Sequence, residues 1–335
     1  MRVGVLGTGR MGTLHAATLS GLTGVDHVIV ADLDRARIAH VAARVGAEVA
    51  SDVTSLLRAG IDAAVVATPT PTHAELIVAL SAAGLPVFCE KPIAVDVGST
   101  AAVLKEVEAA GTALQVGFQR RFDAGYQALR EAVLAGRLGR LHGFRAVTAD
   151  PAPPPASYIS SSGGIFRDCS VHDFDAIRWV TGREVAEVYA TGSNRGEAFF
   201  ADAGDIDTGV AMVTLDDGTL GTVYATRYNG AGYDARLEIS GAAATLVAGL
   251  DARAPLASAQ PRAIRPSEPP YEHFVDRFAA AYRDELSAFV EVAAGRAASP
   301  CPGAEALEAL LVAEAAELSR ADRRPVRVQD VRASH

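Results

Sequence analysis

Arg2-Val3-Gly4-Val5-Leu6-Gly7-Thr8-Gly9-Arg10-Met11-Gly12 is an apolar β-rich run that breaks into three glycines and leads into a stretch, 12–20, with helical spacing. Strand, glycine turn and helix in that order form the entry unit of a dinucleotide-binding βαβ fold when an acidic residue closes the second strand about 20 residues on. Asp32 stands 20 residues after Gly12, at the end of the apolar run 28–31. Gly7, Gly9 and Gly12 allow a tight turn and a close backbone approach to a pyrophosphate, which would rest on the helix N-terminus beside Arg10 and Met11. Asp32 would accept hydrogen bonds from ribose hydroxyls and repel a 2′-phosphate, favouring NAD over NADP. Arg35 and Arg37, just behind it, leave NADP open.

Outward from this unit, residues 2–6, 28–31, 61–67, 86–89 and 112–117 read as strands, nearly continuous in apolar character, as in a parallel sheet covered on both faces. Helical spacing fills 12–20, 35–45, 71–83 and 96–110, with Gly46, Gly84 and Gly111 where helix ends favour a left-handed residue. Strands alternating with helices predict a doubly wound Rossmann domain over 1–118. After Gln119 the pattern changes. A helix near 121–135, a strand 141–148, the proline run Pro151-Ala152-Pro153-Pro154-Pro155 and a helix 169–180 precede strands at 185–191, 208–215, 220–227 and 235–240. Asp217-Gly218 marks a hairpin. Residues 251–270 read as a loop, and helices at 274–294 and 303–320 close the chain. The expectation for 119–335 is an α+β domain with a large, mostly antiparallel open sheet and helices on one face.

With 49% hydrophobic residues the chain has ample core, and its net charge of −9 without a basic stripe argues against nucleic acid or an anionic membrane as partner. No apolar run is long enough to span a membrane. Three scattered cysteines, Cys89, Cys169 and Cys301, suggest neither a disulfide framework nor a cysteine metal site. A chain that opens on a strand rather than a signal peptide completes the expectation of a cytoplasmic protein. Of 31 basic residues only two, Lys91 and Lys105, are lysine. Lys105 belongs to a charged helix face, but Lys91 follows an apolar strand directly. There lysine's ability to lose and regain a proton, which arginine lacks, has chemical value.

Thr68, Pro69 and His73 follow the fourth strand, where the carboxyl ends of parallel strands face the ligand crevice, although such threonines also cap helices. Asp168 and His172 are four apart, so one helical turn would present both on one face. Histidine titrates near neutral pH, and a neighbouring carboxylate biases its tautomer and basicity, which suits it to accept a hydroxyl proton as hydride leaves carbon. Lys91 could meet the pair across a domain cleft. His172 as a core histidine, Cys169 as a nucleophile and a metal site on Asp168, His172, Asp173 and Asp175 are the alternatives. The last lacks a second histidine or a cysteine cluster. Arg120-Arg121 could equally be a surface pair at a helix start.

In order along the chain, Gly7 to Gly12, Ala67 to His73, Glu90-Lys91-Pro92, Gln115 to Asp123 and Gly163 to Asp173 together resemble the Gfo/Idh/MocA oxidoreductase family, and within it most the inositol 2-dehydrogenases. The resemblance implies an NAD-dependent dehydrogenase acting on a secondary hydroxyl of a cyclic polyol, myo-inositol above all, with a sugar (pyranose) dehydrogenase or a non-catalytic nucleotide-sensing regulator as alternatives. It implies His172 as the base, Lys91 as an orienting or relaying group, often before a cis proline, and Asp168 as a residue that binds substrate hydroxyls and supports the pair. Glu90, Lys91 and Gln119 would line the cofactor, and Arg120 the polyol or nicotinamide pocket. Inositol dehydrogenases usually carry an asparagine before the Gly-Gly segment; here the nearest candidate is Asp150, and Tyr233 or Tyr228 would add a substrate contact. The open sheet would be the surface of a homo-oligomer, a dimer or tetramer.

Overall fold

The computed structural model describes residues 1–263 and 266–335, so two positions of the expected 251–270 loop lie outside the described residues. The chain forms two compact units: Met1–Gln119 with Ala280–Leu307, and Arg120–Ala279 with Glu308–His335.

The first unit carries a six-stranded sheet of β1 (Arg2–Leu6), β2 (His27–Ala31), β3 (Glu48–Ala50), β4 (Ala63–Val66), β5 (Val87–Glu90) and β6 (Leu114–Gly117). The strands lie in the order β3-β2-β1-β4-β5-β6, every pair parallel. This is the doubly wound Rossmann order, whose switch point falls between β1 and β4. Local chemistry sets the helices. Asp34 accepts from the N–H groups of Ala36 and Arg37 to start the helix Arg35–Val45, and Gly46, in the left-handed region, ends it. Asp52 and Ser55 form a capping box on Val53–Arg58. That short helix and β3 escape a reading of periodicity, because three and six residues are too few to show a period.

The expected boundary at 118/119 needs a correction: Ala280–Leu307 belongs with the first unit rather than the second. Leu286, Phe289 and Val290, on the helix Ala279–Ala293, are buried in one cluster with Val3, Val5, Val28, Val30, Val65 and Phe88. The rings of Phe88 and Phe289 sit 5.7 Å apart. Burying one such side chain is worth about 1.5–3 kcal/mol, so the C-terminal helix completes the nucleotide domain's core.

The second unit is built on seven strands: β7 (Leu141–Ala149), β8 (Val185–Ser193), β9 (Thr208–Leu215), β10 (Leu220–Thr226), β11 (Asp234–Gly241), β12 (Thr245–Ala248) and β13 (Val326–Arg327). Their order is β12-β11-β7-β10-β9-β8-β13. All pairs are antiparallel except β7 with β10. The exception follows from connectivity. A helical crossover takes β7 to β8 in the same direction, and the meander through β9 then brings β10 back parallel to both. The predicted hairpin joins β9 to β10, with Gly218 at φ +86°. One face is covered by helices; the other leaves Met212, Leu220 and Tyr224 exposed.

Candidate active site

The glycines of the first turn serve three different needs. A Cβ on Gly7, where φ is +88°, would lie 2.6 Å from the Ala67 carbonyl oxygen, and one on Gly12 only 1.8 Å from that of Gly7. Only glycine closes this turn. At Gly9 a Cβ would meet nothing within 4 Å. Gly9 is also the N-cap of the helix Arg10–Ser20 and provides no side-chain cap for its first turn. That arrangement fits a pyrophosphate, with Arg10 exposed and Met11 half-buried in the first turn.

Asp32 ends β2 beside this turn. Its Oδ2 accepts from the Thr8 N–H at 2.6 Å and the Thr8 hydroxyl at 2.8 Å, and its Oδ1 from the Asp34 N–H at 3.0 Å. Burial alone would raise the Asp32 carboxyl, but these N–H and O–H groups and the nearby Arg37 outweigh it and hold it below its ordinary value. Arg37 is itself tied to Asp34 at 3.1 Å and lies 3.6 Å from Asp32.

After β4, Pro69 is exposed and Thr68 half-buried, and the Thr68 hydroxyl accepts from that of Thr72. His73 lies beneath this surface at 1% exposure. Its Nδ1 is 2.7 Å from the Pro92 carbonyl oxygen and its Nε2 2.7 Å from that of Thr68. It braces the loop after β4 against the one after β5. Lys91 follows β5, half-buried, and the Lys91–Pro92 peptide bond is cis. Glu90 before it is 2.7 Å from Nε2 of the fully buried His15, a contact the sequence reading did not include. His15 falls one helical turn after Gly12, a spacing that could have drawn notice. Gln119, which ends the first stretch of this unit, is buried.

In the second unit Gly163 and Gly164, both at positive φ, lead into a π-helical turn, Phe166–Ser170, and then the α-helix Val171–Thr181. The single α-turn expected to carry Asp168 and His172 is therefore a junction, with Asp168 in the wider turn and half-buried His172 second in the α-helix. Such π-turns occur often at functional sites. Asp168 is 8% exposed; its Oδ1 accepts from the Tyr158 hydroxyl at 2.7 Å and its Oδ2 from Arg227 Nη2 at 2.6 Å. Arg227 Nη1 donates to half-buried Asp150 at 3.1 Å. Neither Arg227 nor Tyr158 has a sequence signal, because one directly follows a strand and the other follows a proline run.

Arg120 is 2% exposed, its Nη1 donating to Asp173 at 2.5 Å and its Nη2 to the Thr148 hydroxyl at 2.7 Å. Burial alone would lower this guanidinium, but Asp173 outweighs it and keeps it charged. Arg121 grips Asp175 through two bonds of 2.9 and 2.6 Å, so the pair is buried rather than on the surface. Asp173 and Asp175, weighed above for a metal, are each held by an arginine. Tyr233 is buried edge-on to Phe274 and Phe278, whereas Tyr228 is 38% exposed and its hydroxyl accepts from the Glu197 N–H.

A pyrophosphate cradle with a ribose carboxylate in one unit, and a histidine following a doubly hydrogen-bonded carboxylate in the other, belong to the chemistry of dinucleotide-dependent dehydrogenases. The chain is a member of the Gfo/Idh/MocA oxidoreductase family: residues 1–118 match its NAD-binding Rossmann fold and 126–247 its C-terminal domain. It is 42% identical to a myo-inositol dehydrogenase of Streptomyces leeuwenhoekii, over 95% of this chain and 97% of that one. A probable dehydrogenase from Thermotoga maritima superposes with a TM-score of 0.92 at 34% identity, covering 99% and 100% of the two chains. The scyllo-inositol dehydrogenase of Lactobacillus casei, solved with NAD(H) and scyllo-inositol, gives 0.87 at 29% identity over 98% and 99%. Among the described residues no helix is long and apolar enough to cross a membrane.

Proposed function

We propose that the chain oxidises one secondary hydroxyl of an inositol, myo-inositol first, with NAD, and that His172 takes the hydroxyl proton. The likeness to a myo-inositol dehydrogenase over 95% of the chain carries this reading. Bound NAD supplies the hydride acceptor. Gly7, Gly9, Arg10, Met11 and Gly12 hold its pyrophosphate, Asp32 its ribose, and Thr68, Pro69, Glu90, Lys91 and Gln119 its nicotinamide half. His73 and Arg37 act on it through the loops and carboxylates they brace.

With both Asp168 oxygens accepting hydrogen bonds, the carboxylate suits substrate hydroxyls and the support of His172 better than proton removal. Lys91 orients the reacting hydroxyl and relays its proton. Asp150 takes a second hydroxyl, while buried Arg120 and Tyr233 back the substrate surface. Inositol isomers and aldopyranoses assayed in parallel by NADH absorbance separate this reading from a pyranose dehydrogenase. Faster turnover of any aldopyranose than of every inositol overturns it.

The same proposal places the enzyme in the cytoplasm, in keeping with three buried cysteines that form no disulfide. It also makes the enzyme a dimer or tetramer through the open sheet face, where Met212, Leu220 and Tyr224 are exposed. Light scattering of the purified protein tests the assembly.

A further inference from the structure

Arg227 is an unusual side chain. It is 3% exposed, it directly follows β10, and its two terminal nitrogens reach carboxylates on different segments: Asp168 on the π-turn and Asp150 just after β7. Its backbone N–H is fixed on the Asp207 carbonyl oxygen at 2.8 Å. Its Nε–H is buried and makes no hydrogen bond among the described residues. A buried donor left without a partner is costly, and an arginine kept only for stability would be expected to aim side-on and satisfy it. Arg227 instead spends its reach on two acids at once.

From this geometry we infer that Arg227 is a positioning residue of the reaction, holding Asp168 and Asp150 as a matched pair of ionised carboxylates that accept hydrogen bonds from two hydroxyls of one substrate molecule. Each carboxylate oxygen accepts more than one hydrogen bond, so the bonds from Arg227 leave capacity for substrate. Tyr158 completes the arrangement by donating to the other oxygen of Asp168. Burial alone would lower the Arg227 guanidinium, but the carboxylates of Asp168 and Asp150 oppose it, and Arg227 stays charged. Burial and then Asp168 push the Tyr158 hydroxyl up, so it stays protonated and remains a donor. Two acids and one arginine leave the cluster with a net negative charge, which suits a neutral polyol and opposes a sugar acid. Lysine cannot substitute, since one ammonium does not present two forked donors to separate carboxylates.

The inference rests on the reading of Asp168 and His172 as the groups around the reacting hydroxyl, so its test has one arm that needs no substrate. In the full-length protein labelled with ¹³C at aspartate carboxyls, Asp168→Asn assigns the Asp168 resonance. Removing a neighbouring positive charge disfavours the carboxylate, so Arg227→Gln should raise the Asp168 titration midpoint, and Tyr158→Phe should raise it less. Arg227→Lys should restore the midpoint most of the way without restoring catalysis. In the activity arm, Arg227→Gln should lower kcat/KM for inositol roughly 100-fold, the lower end of the effect of removing one preorganised hydrogen-bond donor from an active site. NAD affinity should stay within about twofold, and added guanidinium should recover part of the activity.

An unmoved Asp168 midpoint in Arg227→Gln, or full activity in Arg227→Lys, overturns the inference. If Arg227→Gln does not fold, Arg227→Lys, which keeps the charge, decides by activity: a loss of kcat/KM with the Asp168 midpoint near the wild-type value supports the inference, and full activity overturns it. If the wild type turns over no cyclic polyol, the proposed function fails by itself, and the titration still decides whether Arg227 holds the pair.

Discussion

The Thr8 N–H and the Thr8 hydroxyl both donate to one oxygen of Asp32, at 2.6 and 2.8 Å, so the residue that would meet the ribose also ties the end of β2 to the glycine turn. Recognition of the adenosine and the shape of the pyrophosphate cradle therefore depend on one carboxylate. Asp32→Asn keeps the size but loses the charge, and the preference for NAD over NADP in kcat/KM should fall by at least about tenfold, equivalent to ~1.4 kcal/mol. An unchanged cofactor ratio would remove Asp32 from cofactor choice.

The same carboxylate makes a pH prediction. Because Asp32 is held below its ordinary value in the folded chain, its contribution to stability is complete above about pH 4, near the unfolded value, and is lost as the pH falls through the lower folded one. The difference in Tm between wild type and Asp32→Asn should thus be present at neutral pH and shrink in acid. A difference independent of pH contradicts the assignment.

Lys91→Ala and Lys91→Arg should both abolish polyol oxidation, because arginine keeps the charge but cannot release the proton. Calorimetric titration with NAD should find affinity largely intact in both. Turnover by either variant at the wild-type rate takes the lysine out of the mechanism.

His172→Gln should reduce kcat/KM by about 10²- to 10⁴-fold, the usual contribution of general base catalysis, and should remove the limb of the pH–rate profile that belongs to the base. A reduced rate with the profile intact would point to another group as base.

Arg120→Ala leaves Asp173 buried at 1% exposure without its cation, and should cost about 3–5 kcal/mol in chemical denaturation. Replacing both partners with apolar residues of similar volume should cost much less. Equal losses would mean that packing, rather than the charge, is what Arg120 provides.

Phe289→Ala, nearly 200 residues downstream of β5, should destabilise the nucleotide-binding unit by about 3–5 kcal/mol, since Phe289 is fully buried against Phe88 in its core. For the same reason a fragment ending at residue 118 should show little protection in hydrogen exchange. Full protection in that fragment would show that Ala280–Leu307 is dispensable to the unit.

Much of the fold could be read from local chemistry. The parallel strands announce themselves as short apolar runs between capped helices, and the hairpin at Asp217-Gly218 falls where the glycine must take positive φ. What escaped, β3, β12, β13 and the return of Ala280–Leu307 to the first unit, was either too short for a period or set by packing between distant segments. Lys91, Asp168 and His172 could be singled out because lysine is scarce and because a four-residue spacing has a meaning in helices. The helix was not the regular one assumed, and the partners of these residues carried no mark.

The sequence by itself determined the dinucleotide turn, since only glycine has the backbone freedom and the missing Cβ that Gly7 and Gly12 require. It also determined which side chains have the chemistry to move a proton. Tertiary structure alone decided that Arg227 joins Asp150 to Asp168, that Tyr158 donates to Asp168, that His15 meets Glu90, and that Arg120 is buried on Asp173. A residue's chemistry travels with its side chain, whereas the charge and hydrogen bonds around it come from segments 10 to 77 positions away, brought together only when the chain folds.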